Sequence, residues 1–118
     1  MQTLKDHPLD GATDRAVRAF LRQITALYPI RGAVLYGSRA RGDNRPDSDA
    51  DVAVLLPGAP TQYWQIVRTM SDVAFDVMIE TGILVQALPI WEDEWSDPDA
   101  YSNPTLLRKI EHDGVRVS

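Results

Sequence analysis

The stretch GSRARGDNRPDSDAD runs from residue 37 to residue 51 and indicates the fold of this chain. It follows a short apolar run at residues 33–36, which predicts a buried strand. It leads into an alternating run at residues 49–56, which predicts a second strand that Pro57 and Gly58 end. Glycine, arginine and aspartate are therefore concentrated in the connection between two adjacent strands.

The first half of this stretch has the composition of a phosphate-binding turn. Gly37 directly follows the buried strand, and a glycine there lets backbone N–H groups approach a ligand closely. Ser38 adds a hydroxyl at the start of a short helix, whose N-terminus favours phosphate. Arg39 and Arg41 are near enough to reach phosphate oxygens. We predict that these four residues bind a nucleotide.

The second half contains two carboxylates at the start of a strand. Asp49 and Asp51 are two residues apart, so their side chains project from the same face. Two close carboxylates repel each other, and both stay ionised only when a cation lies between them. Magnesium is the candidate, because it binds oxygen ligands and bridges carboxylates to substrate phosphates. We predict that Asp49 and Asp51 are the catalytic and metal-binding residues.

The whole pattern resembles a known family. Gly-Ser, ten residues and then Asp-x-Asp, on a strand–turn–helix–strand unit, is similar to the nucleotidyltransferase superfamily of DNA polymerase β. The longer motif, GSRARGD at residues 37–43 followed by DSDAD at residues 47–51, resembles the minimal nucleotidyltransferases. The resemblance in fold covers nearly the whole chain. It implies that the Ser38 turn holds the triphosphate of ATP. It also implies that the aspartate pair holds two magnesium ions, which activate an acceptor hydroxyl against the α-phosphate.

The resemblance also implies a partner. Many minimal nucleotidyltransferases are encoded beside a HEPN-family RNase toxin and serve as its antitoxin, and some transfer AMP to a tyrosine of that toxin. The predicted function is therefore an antitoxin that transfers AMP from Mg-ATP to a hydroxyl of a nearby-encoded HEPN toxin. The alternative is a weak or inactive binding module that neutralises the toxin by forming a complex. A small-molecule acceptor also stays open.

One element of the superfamily pattern is missing. Its enzymes place a third carboxylate on a neighbouring strand, where it completes the metal site and can help to deprotonate the acceptor. The matching strand here is residues 83–88, and its only polar residue is Gln86. Gln86 either occupies the slot of the third acid or faces an open edge of the sheet. Asp76 lies in a row expected to face solvent, and residues 92–94 lie in an acidic loop that could swing in.

The remaining elements predict an α/β (α+β) fold, a small mixed sheet of three strands with helices packed on one side. We expect a single domain over residues 1–118 that begins with a loose leader at residues 1–12. The predicted elements around the central stretch are a helix capped by Thr13 or Asp14, a long helix over residues 61–81, an acidic loop over residues 91–102, and a last helix that Ser102 or Asn103 caps and Gly114 ends.

Composition excludes several classes of function. The 118 residues contain no cysteine, which excludes disulfides and thiolate chemistry. The net charge of −5 argues against a protein that coats nucleic acid, and no direct nucleic-acid binding is expected. No apolar run approaches about 20 residues, so we expect a cytoplasmic protein with no membrane partner. His7 and His112 show no ligand spacing. Homo-oligomers and hetero-oligomers both stay open.

Overall fold

The computed structural model describes residues 1–118 as one five-stranded sheet with helices on both faces. The strands are β1 (Gln2–Thr3), β2 (Gly32–Tyr36), β3 (Ala50–Leu56), β4 (Val85–Trp91) and β5 (Val115–Arg116). The helices are α1 (Gly11–Leu27), α2 (Ser38–Arg41), α3 (Tyr63–Thr81), α4 (Glu92–Ser96) and α5 (Pro104–Asp113), with a 3₁₀ turn at Pro98–Ala100. No helix is both long and apolar enough to cross a membrane.

The sheet is mixed, as predicted, and its strand order is β1-β5-β2-β3-β4. β2 pairs antiparallel with β3 and β5, while β3 and β4 are parallel. The three predicted strands, β2, β3 and β4, are neighbours and form one side of the sheet up to the β4 edge. The two terminal strands were missed, because two residues are too short a run to show a period of two.

Residues 1–12, predicted to be a loose leader, pack on the rest of the chain, with Leu4 and Leu9 against the larger core. β1 pairs in parallel with β5, where Gln2 lies opposite Val115. His7 Nε2 lies 2.6 Å from the carbonyl oxygen of Ala40, at the end of the predicted phosphate turn. The leader is therefore attached to both the sheet and α2.

The larger core lies between one face of the sheet and the helices α1 and α3. Its helical side chains recur at spacings of three and four, as the sequence predicted. Phe20 and Ile24 of α1 and Val77 of α3 have no exposed surface, and Met70 is 1% exposed. These helices cover the face of the sheet that carries Val52 and the other even-numbered residues of β3.

The prediction that the helices pack on one side is wrong, because α5 covers the opposite face. Leu107 and Ile110 of α5 pack against Val34, Ala53 and Ile90. The sequence carries a signal of this arrangement, because residues 33–36 are apolar at every position. The first four residues of β2 are indeed all buried. A strand that is apolar at every position, without alternation, is typical of a sheet covered on both faces.

The first long helix begins earlier than predicted. Asp10 is the N-cap of α1, and its Oδ1 accepts a hydrogen bond from the Thr13 amide at 2.8 Å. Thr13, predicted to be the cap, is instead fully buried inside the first turn. The prediction of Thr13 or Asp14 is wrong because both Asp10 and Thr13 are residue types that favour caps.

The other helix ends agree closely with the sequence. α3 begins at Tyr63, two residues later than predicted, and Gly82 follows it with φ of 81°, a left-handed conformation that favours glycine. Asn103 caps α5, since its side chain accepts a hydrogen bond from the Leu106 amide at 3.2 Å. Gly114 ends that helix as predicted.

β4 and the segment after it differ most from the prediction. The strand covers residues 85–91 instead of residues 83–88, and it continues through Pro89. Proline is tolerated because β4 is an edge strand, where one side of the backbone needs no partner. The predicted acidic loop is also partly helical, because it contains α4 and the 3₁₀ turn.

Candidate active site

The candidate site lies at the end of the sheet where β3 and β4 begin. Asp51 is paired with Tyr36 of β2 on one side and with Gln86 of β4 on the other. Residues paired across neighbouring strands have their side chains on the same face of the sheet, and successive residues along one strand point to opposite faces. Ala53, two residues further, packs under α5, so Asp51 and Gln86 also lie on the α5 side.

The glycine–serine turn lies directly against the carboxylates. Gly37 has φ of 77°, and a Cβ built on it would overlap Oδ2 of Asp51. Both facts require glycine at this position. The turn that starts α2 at Ser38 is therefore next to Asp51, which confirms the predicted juxtaposition of these residues.

The electrostatics of the pair fit a divalent cation. Partial burial raises the pKa of Asp51, and the negative charge of Asp49 raises it further. The positive charges of Arg41 and Lys109 lower that pKa, so both cations act on the same carboxylate. A dication between the aspartates would relieve their repulsion.

The number of available protein ligands indicates how magnesium would be held. The structure contains no group of three or more histidine, aspartate or glutamate side chains arranged to bind a metal. Magnesium usually binds through one or two carboxylates, waters and substrate phosphates. Asp49 and Asp51 fit that requirement when a nucleotide supplies the remaining oxygens.

Gln86 points at the aspartates. Its Nε2 donates a hydrogen bond to Oδ2 of Asp49 at 3.2 Å. Of the two alternatives left by the sequence, Gln86 therefore takes the one facing the carboxylate pair. The position next to Asp49 and Asp51 is occupied by a neutral amide that donates to a carboxylate.

The other acidic candidates lie elsewhere. Residues 92–94 follow the far end of β4, which is separated from Gln86 by five residues, or about 17 Å of strand. Glu92 Oε1 is 3.5 Å from Arg31 Nε, and Glu94 accepts a hydrogen bond from the Trp91 amide at 3.1 Å. The loop therefore does not swing in. Asp76 is exposed on α3, on the other side of the sheet, as predicted.

Arg39 does not have the environment expected of a phosphate ligand. It is only 4% exposed, and its guanidinium donates to backbone oxygens of residues 45, 46 and 48 and to the hydroxyl of Thr13. Most of its five donors are therefore used inside the protein. Arg41, in contrast, is exposed, and its Nε lies 3.2 Å from Oδ2 of Asp43.

Two residues that the sequence did not single out as functional contribute to the site. Lys109 of α5 adds a positive charge near Asp51. Tyr36 is partly buried, and burial together with the charge of Asp51 raises the pKa of its hydroxyl to about 12. Both lie on the α5 side, so they could not be assigned before the position of α5 was known.

Comparison with known proteins gives the family. A family model described as a nucleotidyltransferase domain matches residues 17–101 of this chain. The chain therefore belongs to the nucleotidyltransferase domain family, as the resemblance of residues 37–51 implied. The matched segment contains the glycine–serine turn, both aspartates and Gln86.

One curated relative is a bifunctional uridylyltransferase/uridylyl-removing enzyme of Bordetella avium (strain 197N), 34% identical over 99 residues. The match covers 80% of this chain but only 12% of that enzyme. The chain thus corresponds to a small part of the relative.

Two solved structures share the fold. One is a toxin–antitoxin with AMP-PNP, with a TM-score of 0.58, 17% identity, and coverage of 89% of this chain and 72% of that chain. The other is a tri-AMPylated Shewanella oneidensis HEPN toxin in complex with MNT antitoxin, with a TM-score of 0.53, 15% identity, and coverage of 90% and 69%.

Proposed function

We propose that this nucleotidyltransferase domain is an antitoxin that transfers AMP from Mg-ATP to a tyrosine hydroxyl of a HEPN-type RNase toxin. The observation that carries the proposal is the contact between the Gly37 turn and the carboxylate of Asp51. That contact supports the proposal because it brings the predicted phosphate-binding turn and the predicted magnesium-binding pair together. The two structural neighbours described as toxin–antitoxin complexes support the choice of partner.

The residues of the site have separate tasks in this reaction. Ser38 and Arg41 would hold the triphosphate, and Lys109 would add positive charge near the phosphates. Asp49 and Asp51 would hold magnesium, which neutralises phosphate charge and orients the reacting groups when bound. Most of the rate in phosphoryl transfer comes from such positioning and electrostatic stabilisation.

The chemistry of the step identifies its weakest point. The acceptor oxygen forms a bond to the α-phosphorus, the bond from that phosphorus to the bridging oxygen breaks, and pyrophosphate leaves. The hydroxyl proton must go to a carboxylate or to solvent. Gln86 cannot accept it, because an amide is not basic at neutral pH. We therefore expect slow transfer.

The proposal is tested with ATP labelled on its α-phosphate, incubated with this chain and the purified protein encoded beside its gene, which the proposal identifies as a HEPN toxin. We expect label on the toxin that requires magnesium and disappears when its acceptor tyrosine is replaced by phenylalanine. ATP labelled on the γ-phosphate is the control, because AMP transfer leaves that label in pyrophosphate. A stable complex that never acquires α-label would contradict the transfer reaction.

A binding module is the second candidate, and a specific surface favours it. Four large hydrophobic side chains of α3 are exposed, and the three most exposed are Trp64, Phe75 and Ile79, at 74%, 55% and 70%. Their spacings of eleven and four residues place them on one stripe of the helix. We call these three residues the α3 stripe. Exposed apolar stripes of this kind mark sites of protein association.

We expect that replacing all three residues of the α3 stripe with serine weakens the complex with the toxin by more than about 30-fold. The reason is that truncating even one buried anchor side chain at an interface costs about 2 kcal/mol or more, which is a factor of about 30 in affinity. Calorimetric titration of the toxin measures the loss. Mg-ATP binding should stay unchanged, because α3 and the carboxylates lie on opposite faces of the sheet.

The matched control is Leu27→Ser, which removes a 55% exposed apolar side chain from α1. It should bind the toxin as the unmodified chain does. Equal affinity in the triple variant and in the unmodified chain would exclude the α3 stripe as the docking surface.

A further inference from the structure

Arg39 and Thr13 are buried polar residues that bind each other. Nη1 of Arg39 donates a hydrogen bond to Oγ1 of Thr13 at 2.9 Å. The same hydroxyl donates to Oδ2 of Asp10, the N-cap of α1, at 2.8 Å. No buried side-chain nitrogen or oxygen in the protein lacks a partner. A connected chain of hydrogen bonds therefore joins α1 to α2.

The other side of the Arg39 guanidinium holds the loop that leads to the carboxylates. Nε donates to the carbonyl of Ser48 at 2.9 Å, and Nη2 donates to the carbonyl of Pro46 at 3.0 Å. A longer bond of 3.4 Å reaches the carbonyl of Arg45. Ser48 directly precedes Asp49, so this bond fixes the backbone from which the Asp49 side chain extends.

Arg39 therefore connects the two halves of the candidate site. It follows Ser38 in the chain, and its side chain binds the residue before Asp49. All of these partners bind one guanidinium, which presents its donors in a rigid planar fork. A buried cation costs several kcal/mol unless its donors are satisfied, so the arrangement needs these oxygens in place.

We propose that Arg39 is a positioning residue, which holds the Ser38 turn and the Asp49 carboxylate in the arrangement that binds magnesium and nucleotide together. This inference rests on the proposed nucleotidyl transfer. It assigns Arg39 a role through other residues instead of the direct phosphate contact that the sequence suggested.

The test compares Arg39→Lys with Arg45→Lys. Lysine keeps the charge but lacks the planar fork, and Arg45 is exposed in the same loop, so its substitution is the matched control. In nucleotide-free protein, we expect the amides of residues 45 and 47–49 to exchange hydrogen about tenfold faster in Arg39→Lys. The Kd for Mg-ATP should rise by about 10–100-fold, as when outer residues of a metal site are removed. Arg45→Lys should change neither quantity.

Thr13→Val is the second variant, because it removes one bond of the same chain with little change in volume. It should shift loop exchange and Kd in the same direction as Arg39→Lys, but less. Both measurements are made at a temperature where circular dichroism shows each variant fully folded. Global destabilisation would speed exchange across the whole sheet, whereas the positioning role predicts a change confined to the loop.

Two results would overturn the proposal. Weaker Mg-ATP binding in Arg39→Lys without faster loop exchange would make Arg39 a direct phosphate ligand. Unchanged binding and unchanged exchange would leave it no role in the site. If the unmodified chain binds no nucleotide, the proposed function fails, and the loop exchange in nucleotide-free protein still reports separately on whether Arg39 holds the loop.

Discussion

Replacing both Asp49 and Asp51 with asparagine should weaken magnesium-dependent ATP binding by at least about 100-fold and leave the protein folded. The expected loss exceeds the 10–100-fold loss seen when only the partners of metal ligands are removed. Calorimetric titration of ATP with and without magnesium measures it. Binding equal to that of the unmodified chain would refute the metal assignment.

We expect the double variant to fold, because removing the two charges also removes their repulsion in the folded state. Burial and the charge of Asp49 raise the pKa of Asp51, so the ionised pair opposes folding. The folded state then holds the Asp51 proton more tightly than the unfolded state. The contribution of Asp51 to stability is therefore lost as pH rises from 3.8 through its raised pKa.

Urea unfolding at a series of pH values tests that sign. The unmodified chain should lose stability relative to Asp51→Asn across this window, and magnesium with ATP should restore it.

The control for the removal of two charges in the Asp49 and Asp51 double variant is the variant with Asp47→Asn and Asp72→Asn. Both of these aspartates are exposed, and one lies in the same loop. This variant should bind Mg-ATP normally.

The second large effect is expected from Gln86→Glu. The amide of Gln86 donates to Asp49, and a glutamate would place a third carboxylate at the same position. General-base assistance is typically worth 10²–10⁴-fold in rate, so even partial restoration should be measurable in the labelled-ATP assay. Without magnesium the variant should be less stable, because a hydrogen bond is replaced by repulsion. Magnesium should recover that loss.

Gln65→Glu is the control for this experiment. It adds the same charge at an exposed position of α3, away from the carboxylate pair. Its transfer rate should equal that of the unmodified chain. A Gln86→Glu variant that binds Mg-ATP but transfers AMP no faster than the unmodified chain would contradict the assignment of this position.

The parts of the site that could be predicted are those whose residues are close in the sequence. Gly37 directly follows β2, and Asp51 lies on the adjacent antiparallel strand β3, so the single connection between these strands determines their contact. Gln86 is distant in the sequence, and the face it takes depends on the register in which β4 pairs with β3. The sequence therefore leaves two alternatives for it, and the observed register and the hydrogen bond to Asp49 decide between them.

Long-range packing could not be predicted in the same way. α5 lies about 70 residues from β2 in the chain, and its apolar face fits either side of the sheet. The roles of Arg39 and Arg41 depend on which of the two side chains faces the interior of the protein. Two residues apart on a helix means about 200° of rotation, so one arginine turns inward when the other turns out. The sequence does not show which of them does so.

The positions of the carboxylates and the α3 stripe on opposite faces of the sheet limit the stoichiometry of any modified complex. A toxin molecule docked on the α3 stripe would have the whole sheet between its contact surface and the aspartates of the same chain. Its tyrosine would then receive AMP from the active site of a different copy of the antitoxin. Efficient labelling would require at least two copies of the antitoxin in one assembly, and dilution below the assembly threshold would stop the reaction before the pairwise complex dissociates.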